Sequence, residues 1–562
     1  MRAVLCLGLI ALAACSSKPA DTFAEFEEDY WNEWFRTFPS YATGAGIHDY
    51  DGQLEDLSAD AVAKRVAYLN AAHDRLAALP ADGNIDAEIL DTAIHAELME
   101  LTETRSWKTN PMGYVGAPGG AIDVLMKRNF APPAERLRSV IARLERIPGV
   151  LAAMKANVSN PPKEFTDLAV RMASGSVGFF RNTVAAWAKD AAKDDAALLA
   201  KFTAANNAAA AAMQDAAKWL KDDLSNRSTG SYAIGAAAFS KKLALEEMID
   251  DPLDKILAIG EANLEKDYKD FVETARLIDP KKTPAQVMHD ISNDHPSETD
   301  LIPATRRTLK GIQQFLIDKK IIDLPTMNLP LVEETPPYAR SGSFASMDTP
   351  GAYESKAKEA FYYVTPVEKD WDAKHKEEHL RLYNKPVMDV ITIHEAFPGH
   401  YVQFIYAPQF PTKTRKLYAC SSNAEGWAHY TEQMMIEEGY GAGDPKLKLA
   451  QLHEALLRDA RYVVGIKLHT RGMTVEEGAK LFVDRAMQEP TNAYEEARRG
   501  AYNPTYLYYT LGKLEVYKLR EEYRKKKGAE FELNEFHASF VKQGAIPIKL
   551  IRRLLVGAGS SH

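Results

Sequence analysis

Cysteine is almost absent from this chain, with three in 562 residues, at positions 6, 15 and 420. Beyond the first fifteen residues only Cys420 remains, so an internal disulfide framework and a cysteine-built metal site are both excluded. Cys420 itself reads as a small buried residue. Basic charge is also short: 69 Lys and Arg face 78 Asp and Glu, for a formal net charge of -9. Phosphate recognition needs a basic footprint, so nucleic acid is excluded as a partner. No fixed-period repeat is present, which argues against a solenoid. The apolar run from Ala3 to Ala14 has the length of a signal-peptide core and is too short to span a bilayer. The rest is ordinary for a globular chain, 46% hydrophobic and 26% charged, and its length allows two to four domains.

Arg2 precedes that apolar run, and Leu12-Ala13-Ala14-Cys15 closes it. These four residues resemble a bacterial lipobox. The resemblance implies a signal peptide over residues 1–14, cleavage before Cys15, lipidation of that cysteine and a short leash over 15–22. The expected location is the cell envelope, lipid-anchored, with Ser16 compatible with the outer membrane. The membrane would then be a partner through the lipid alone.

From Phe23 to about Asp279 the pattern is helical almost throughout. The Ala-rich stretch from Asp190 to Asp223 holds no Pro or Gly, and Thr283-Pro284-Ala285-Gln286 has the form of a capping box with Pro at the first helical position. From Ile321 to Pro366 the punctuation changes, with Leu324-Pro325, Leu329-Pro330 and Pro336-Pro337 followed by β-prone pieces at Gly342 to Met347 and Ala360 to Val364. This predicts a small sheet just before the motif described next, whose edge strand could pair with an extended peptide. Helices then return over Val387 to Ile405, Asn423 to Glu438 and Lys446 to His469, and Thr474 caps another. The expected fold is mainly α, with a helical wall and cap over 23–320 and the site region over 321–562, in one continuous fold.

The run His394-Glu395-Ala396-Phe397-Pro398-Gly399-His400 carries the chemistry. A Glu directly after a His is what a zinc hydrolase needs, but in the ordinary H-E-x-x-H helix the second His follows one turn later. Here it lies six residues on, roughly 120° off the first on a straight helix. Pro398 cannot donate to the carbonyl of His394, and Gly399 allows unusual dihedrals. A bulged turn is therefore expected to return His400 to the face of His394. A catalytic zinc takes three protein ligands and leaves one position for water. The third ligand is expected from Asn423-Ala424-Glu425-Gly426-Trp427-Ala428-His429-Tyr430, as Glu425, with His429 one turn on. His429 is either a residue supporting the ligands or a ligand in place of His400. Gly426 would admit another backbone, and Trp427 would pack the helix to its neighbour. One zinc ion is the expected cofactor, although the same donors would hold cobalt, nickel or manganese.

Glu395 is the candidate general base. Oxyanion or carboxylate binding is expected from two regions downstream. In one, Arg458, Gly465 and His469 share a helix face with Arg461 beside them, as either a buried cationic stripe or a surface salt-bridge face. The other is Tyr502 to Gly512, where Tyr509 is the first choice as donor and Tyr506 the second, with simple aromatic packing as the alternative. Arg461 and Arg499 are candidates for a substrate carboxylate.

These motifs, with Asn503-Pro504-Thr505-Tyr506 leading to Tyr509-Thr510-Leu511-Gly512-Lys513-Leu514, resemble the bacterial family catalogued as domain of unknown function 885. Near the start, Pro39-Ser40-Tyr41-Ala42-Thr43 and Gly46-Ile47-His48-Asp49-Tyr50 are similar to that family's opening. The resemblance covers about residues 23 to 556. It implies a zincin-like, mainly helical fold of the glutamate-ligand zinc peptidase type and zinc-dependent hydrolysis of peptides. It also implies His394, His400 and Glu425 as ligands, Glu395 as base and Tyr509 as a catalytic group. Val464-Gly465-Ile466-Lys467-Leu468-His469 departs from the family's Asp-Thr-Gly-Leu-His pattern, which leaves His469 alone as a catalytic candidate there. The expected function is a cell-envelope zinc peptidase acting on short peptides. The alternatives are an inactive metal-binding or scaffolding lipoprotein, and a zinc hydrolase of an ester or non-peptide amide.

Overall fold

The computed structural model describes residues 22–80, 83–340 and 344–557; the predicted signal peptide and Cys15 lie outside them. The chain is mainly α, with one small sheet. The first helix, Phe23–Thr37, opens on a capping box between Thr22 and Glu25 and buries Phe26, Tyr30, Trp31 and Phe35. The Ala-rich stretch is helical but not continuous. A helix over Ala185–Ala192 ends at Lys193, which has φ 48°, and Asp195 then caps the 27-residue helix Ala196–Asp222 by accepting from the amide of Leu198. A short acidic side chain offering its oxygen to the next helix outcompetes helix continuation, although neither Pro nor Gly is present. The small faces of Ala205, Ala209, Ala210 and Ala216 let this helix pack closely among Phe179, Phe180 and Leu151. The expected capping box at Thr283 is present.

The sheet has three strands, β1 (Leu331–Glu334), β2 (Ala345–Asp348) and β3 (Phe361–Val364), in the order β1-β3-β2. β3 pairs parallel with β1 and antiparallel with β2, so Ala345 faces Val364 and Asp348 faces Phe361. β3 is buried along its whole length and β2 is an edge strand. Of the predicted strand from Gly342 to Met347, residues 342 and 343 lie outside the described chain.

Six helices build the site: α1 (Lys385–Glu395), α2 (His400–Ile405), α3 (Ser421–Glu437), α4 (Pro445–Thr470), α5 (Pro490–Tyr502) and α6 (Tyr508–Lys527). α3 and α6 cross where glycines meet. A Cβ on Gly426 would stand 2.4 Å from the Cα of Gly512, and one on Gly512 would stand 1.9 Å from the carbonyl oxygen of Ser422. α4 is braced from outside by the helix Leu253–Ile278, where Gly260 sits against the ring of Tyr462 and the Tyr462 hydroxyl donates to the carbonyl of Ile256 at 2.9 Å. Near the C-terminus, His537 is fully buried, with Nδ1 2.8 Å from the carbonyl of Ile321 and Nε2 2.8 Å from the Tyr430 hydroxyl.

The packing and the buried histidine set three stability predictions. Gly512→Ala meets backbone on both sides and is expected to destabilise by about 1–3 kcal/mol, read as a lower thermal midpoint. Gly120→Ala has nothing within 4 Å of its added Cβ and is expected to be neutral or stabilising. Burial holds His537 down at about 3 against an ordinary 6.5. The unfolded chain therefore takes up a proton below about pH 6.5 that the native protein refuses, and stability falls from there toward pH 3 at up to about 1.4 kcal/mol per pH unit. His537→Gln should make the decline of the midpoint between pH 6.5 and 4 measurably shallower.

Candidate metal centre and cavity

The histidine motif is a helix break, not a bulged helix. Asn384 caps α1 by accepting from the amide of Val387, and every residue from Val387 to Glu395 is buried. The helix ends at Ala396 (φ -115°, ψ -79°), the Phe397-Pro398 peptide is cis, and His400 begins α2. The amide of Gly399 returns to the carbonyl of Ile393 at 3.0 Å. A Cβ on Gly399 would lie 1.7 Å from the carbonyl oxygen of His394, so only glycine permits this fold-back. Trp427 on α3 locks it by donating from Nε1 to the carbonyl of Pro398 at 2.9 Å.

The break brings His394 and His400 together, with ring centroids 4.9 Å apart and planes at 90°. Oε2 of Glu425 lies 3.4 Å from Nε2 of His394 and 3.3 Å from Nε2 of His400. These separations are long for hydrogen bonds, and Glu425 Oε2 is buried without a hydrogen-bonding partner. Donors about 2.0–2.1 Å from a tetrahedral ion stand about 3.3–3.4 Å from one another. The three side chains thus fit a zinc-sized cation. Another group of possible ligands, His73, Asp91 and His95, is only partly buried and lies outside the cavity described below.

Glu432, one turn beyond His429 on α3, completes the arrangement. His394 donates from Nδ1 to Glu432 Oε1 at 2.7 Å, which turns Nε2 toward Glu425 and His400, where it would be the atom to bind an ion. A carboxylate behind a metal-binding imidazole fixes its tautomer and raises its basicity. Burial opposes the charging of His394, but the carboxylates of Glu425 and Glu432 hold it up at about 9. Despite burial, Glu425 and Glu432 are held well below the usual carboxylate range, Glu425 by the two histidines and Glu432 chiefly by Arg458. Glu395 behaves oppositely: burial pushes its carboxyl up, with His400 and His394 pulling the other way.

His429 is not a ligand in this arrangement. It is fully buried and donates from Nδ1 to Glu432 Oε2 at 3.1 Å, so it supports the residue that supports His394. Burial and Lys513 hold it at about 4, and it is neutral at neutral pH. The cationic stripe on α4 is buried, not a surface face. Arg458 pairs with Glu432 at 3.4 Å and with Glu454, and Arg461 makes a two-pronged pair with Glu496 on α5, both contacts at 2.7 Å.

His469 lies apart from these groups. Its Nε2 is 2.8 Å from the carbonyl of Gly500, its ring packs beside Phe239 and Tyr232, and it does not line the cavity. A catalytic place for it is not found, because a shared helix face fixes direction but not distance along the axis. Tyr506 is likewise a spacer: it is fully buried against Gly465 and Gly500, and its hydroxyl reaches the carbonyl of Glu496 at 3.4 Å. Tyr509 does face the cluster. Its ring lies 6.3 Å from that of His394, inclined at 29°. Its hydroxyl accepts from Nη2 of Arg499 at 3.1 Å.

His394, His400, Glu425 and Tyr509 share a cavity of about 730 Å³, a size suited to a peptide-like or other small ligand. Phe344 and, from β2, Ala345, Ser346 and Met347 line it together with Glu395, Arg461, Arg499 and Tyr509. Glu432 is the functional residue that sequence reasoning missed. Its spacing of seven from Glu425 was the available signal, since i and i+7 share a helix face.

No curated protein matches the chain. Two solved structures are similar over nearly all of it. One is a "putative lipoprotein of unknown function" from Shewanella oneidensis, 29% identical, covering 95% of this chain and 100% of that one with a TM-score of 0.76. The other is a "putative lipoprotein" from Colwellia psychrerythraea, 17% identical, covering 95% and 97% with a TM-score of 0.80, a likeness of fold. The family model described as "Bacterial protein of unknown function (DUF885)" matches residues 39–555, and the chain belongs to that family.

Proposed function

We propose that the protein is a zinc-dependent peptidase of the cell envelope, lipid-anchored through Cys15, that hydrolyses short peptides. The observation that carries this reading is the placement of Glu425 Oε2 3.3–3.4 Å from two imidazoles, beside Glu395. His394, His400 and Glu425 would hold the ion. When bound, zinc lowers the pKa of a coordinated water to about 7 and polarises a carbonyl. Glu395, adjacent to a ligand and lining the cavity, takes the proton from the attacking water and delivers it to the leaving amine. Its burial supports this role, because a carboxyl raised above the ordinary range is the better proton acceptor. Tyr509 accepts from Arg499, so its own hydroxyl hydrogen is free to point at the developing oxyanion.

The edge strand supports a peptide over other carbonyl substrates. β3 occupies one side of β2, and residues of β2 line the cavity. An extended peptide laid along Ser346 and Met347 in the cavity would gain contacts to the strand while its carbonyl reached the histidines. The lipid anchor draws on the lipobox-like sequence at Cys15 and on the two similar structures, both called lipoproteins.

Two variants test this reading. Glu395→Gln should retain zinc at wild-type stoichiometry while peptide hydrolysis falls by about 10²–10⁴-fold, the usual contribution of a general base; equal turnover would remove Glu395 from that role. Glu432→Gln should weaken zinc by about 10–100-fold in competition against a chelator, with the fold unchanged by circular dichroism. Unchanged affinity would mean that the contact to His394 is structural only.

A further inference from the structure

Resting on the hydrolase reading above, we infer that Arg499 is the docking point for the free C-terminal carboxylate of the substrate, and that the enzyme acts from the C-terminus of short peptides. The inference comes from how the arginines of the cavity are matched. Arg458 has Glu432 and Glu454, and Arg461 has both oxygens of Glu496. Arg499, one turn after Glu496 on α5, has no carboxylate within 4.0 Å among the described residues. Its hydrogen bond is to the Tyr509 hydroxyl, a neutral acceptor, and its guanidinium stands 6.0 Å from the centre of that ring. A half-buried guanidinium with no carboxylate of its own favours an anion. Arg499 also lines the cavity, so an entering ligand can supply one.

The position selects the kind of anion. Tyr509 touches both groups, its ring 6.3 Å from that of His394 and its hydroxyl hydrogen-bonded to Arg499. A ligand that places its carbonyl at the histidines and runs past Tyr509 therefore presents its far end to Arg499. For a peptide that end is the α-carboxylate, which a guanidinium grips through two parallel hydrogen bonds. Lysine would supply charge without the fork, so exchange of Arg499 for lysine is not neutral.

The test uses binding, so that it is independent of turnover. Zinc-loaded Glu395→Gln protein is titrated calorimetrically with N-acetyl-Ala-Ala-Phe as the free acid and as the C-terminal amide. The expected result is binding of the acid at least tenfold tighter than the amide, with the ratio collapsing toward one in the Glu395→Gln, Arg499→Met double variant. Arg499→Lys, which keeps the charge and the packing of the stem, should retain an intermediate ratio. Equal binding of acid and amide, or a ratio that survives Arg499→Met, overturns the assignment. Turnover of N-acetyl-Ala-Ala-Phe by the zinc-loaded wild type separates the two readings: a preference for the acid in binding without any cleavage leaves the carboxylate site standing while the peptidase reading falls.

Discussion

The site depends on one contact between backbone atoms, Gly399 against the carbonyl of His394. Two imidazoles six residues apart cannot share a face of a regular helix. The chain meets that constraint by ending α1 immediately after Glu395 and starting α2 at His400. The space for this exists only because position 399 carries no side chain. Two further things hold the fold-back in place. Trp427 caps the carbonyl of Pro398, and α3 is drawn close to α6 by the facing glycines at 426 and 512. Since α3 carries Glu425 and α6 carries Tyr509, the same approach that closes the fold sets the distance between the third candidate ligand and the candidate oxyanion donor.

A second constraint is electrostatic. α3 and α4 bury Glu432, Glu454, Arg458 and Arg461, and α5 adds the half-buried Glu496. Isolated, each of these charges would be costly to bury. Alternation makes the layer tolerable: Arg458 bridges Glu432 and Glu454, and Arg461 saturates Glu496, while burial is opposed strongly enough that Glu454 is held at about 2. Removing one member would leave another buried without a partner, which is usually more damaging than the pair is stabilising. Such a layer does little for net stability. It is better understood as the means of fixing the orientation of His394 through Glu432.

Much of this was legible in the sequence and some of it was not. The histidine motif, Glu425 as the carboxylate facing both imidazoles and Gly426 as a point of backbone approach can all be read from residue type and spacing, because each follows from a short-range rule. The form of the turn could not be, since a bulge and a break both bring residues 394 and 400 together and differ only in tertiary hydrogen bonds such as that of Trp427. His469 and Tyr506 were expected at the site on helix face and residue type alone. Both prove to be packing residues, because neither property says how far along a helix the cavity extends. Glu432 was hidden behind His429: at i+4 and i+7 from Glu425 they share a face, and their mutual hydrogen bond decides which of them reaches His394. At Lys193 the absence of Pro and Gly suggested continuity, and a capping aspartate decided otherwise.

The helix Leu253–Ile278 takes part in the polar layer behind the cavity. Asn263, on the helix Leu253–Ile278, donates to Asp459 Oδ1 at 2.9 Å, and Thr510 of α6 donates to the same oxygen at 2.7 Å. Asp459 follows Arg458 directly on α4, so one buried carboxyl connects the outer helix, the helix of the cavity arginines and the helix of Tyr509. Burial and the neighbouring Asp267 push that carboxyl up to about 7, and Lys513, one turn beyond Tyr509, pairs with Asp267 at 3.5 Å. The polar layer behind the cavity is therefore continuous with the wall. Because its groups hold one another across three helices, a displacement of the outer helix would be felt at Arg458 and Tyr509 through hydrogen bonds, and not only through the softer apolar contacts around Tyr462.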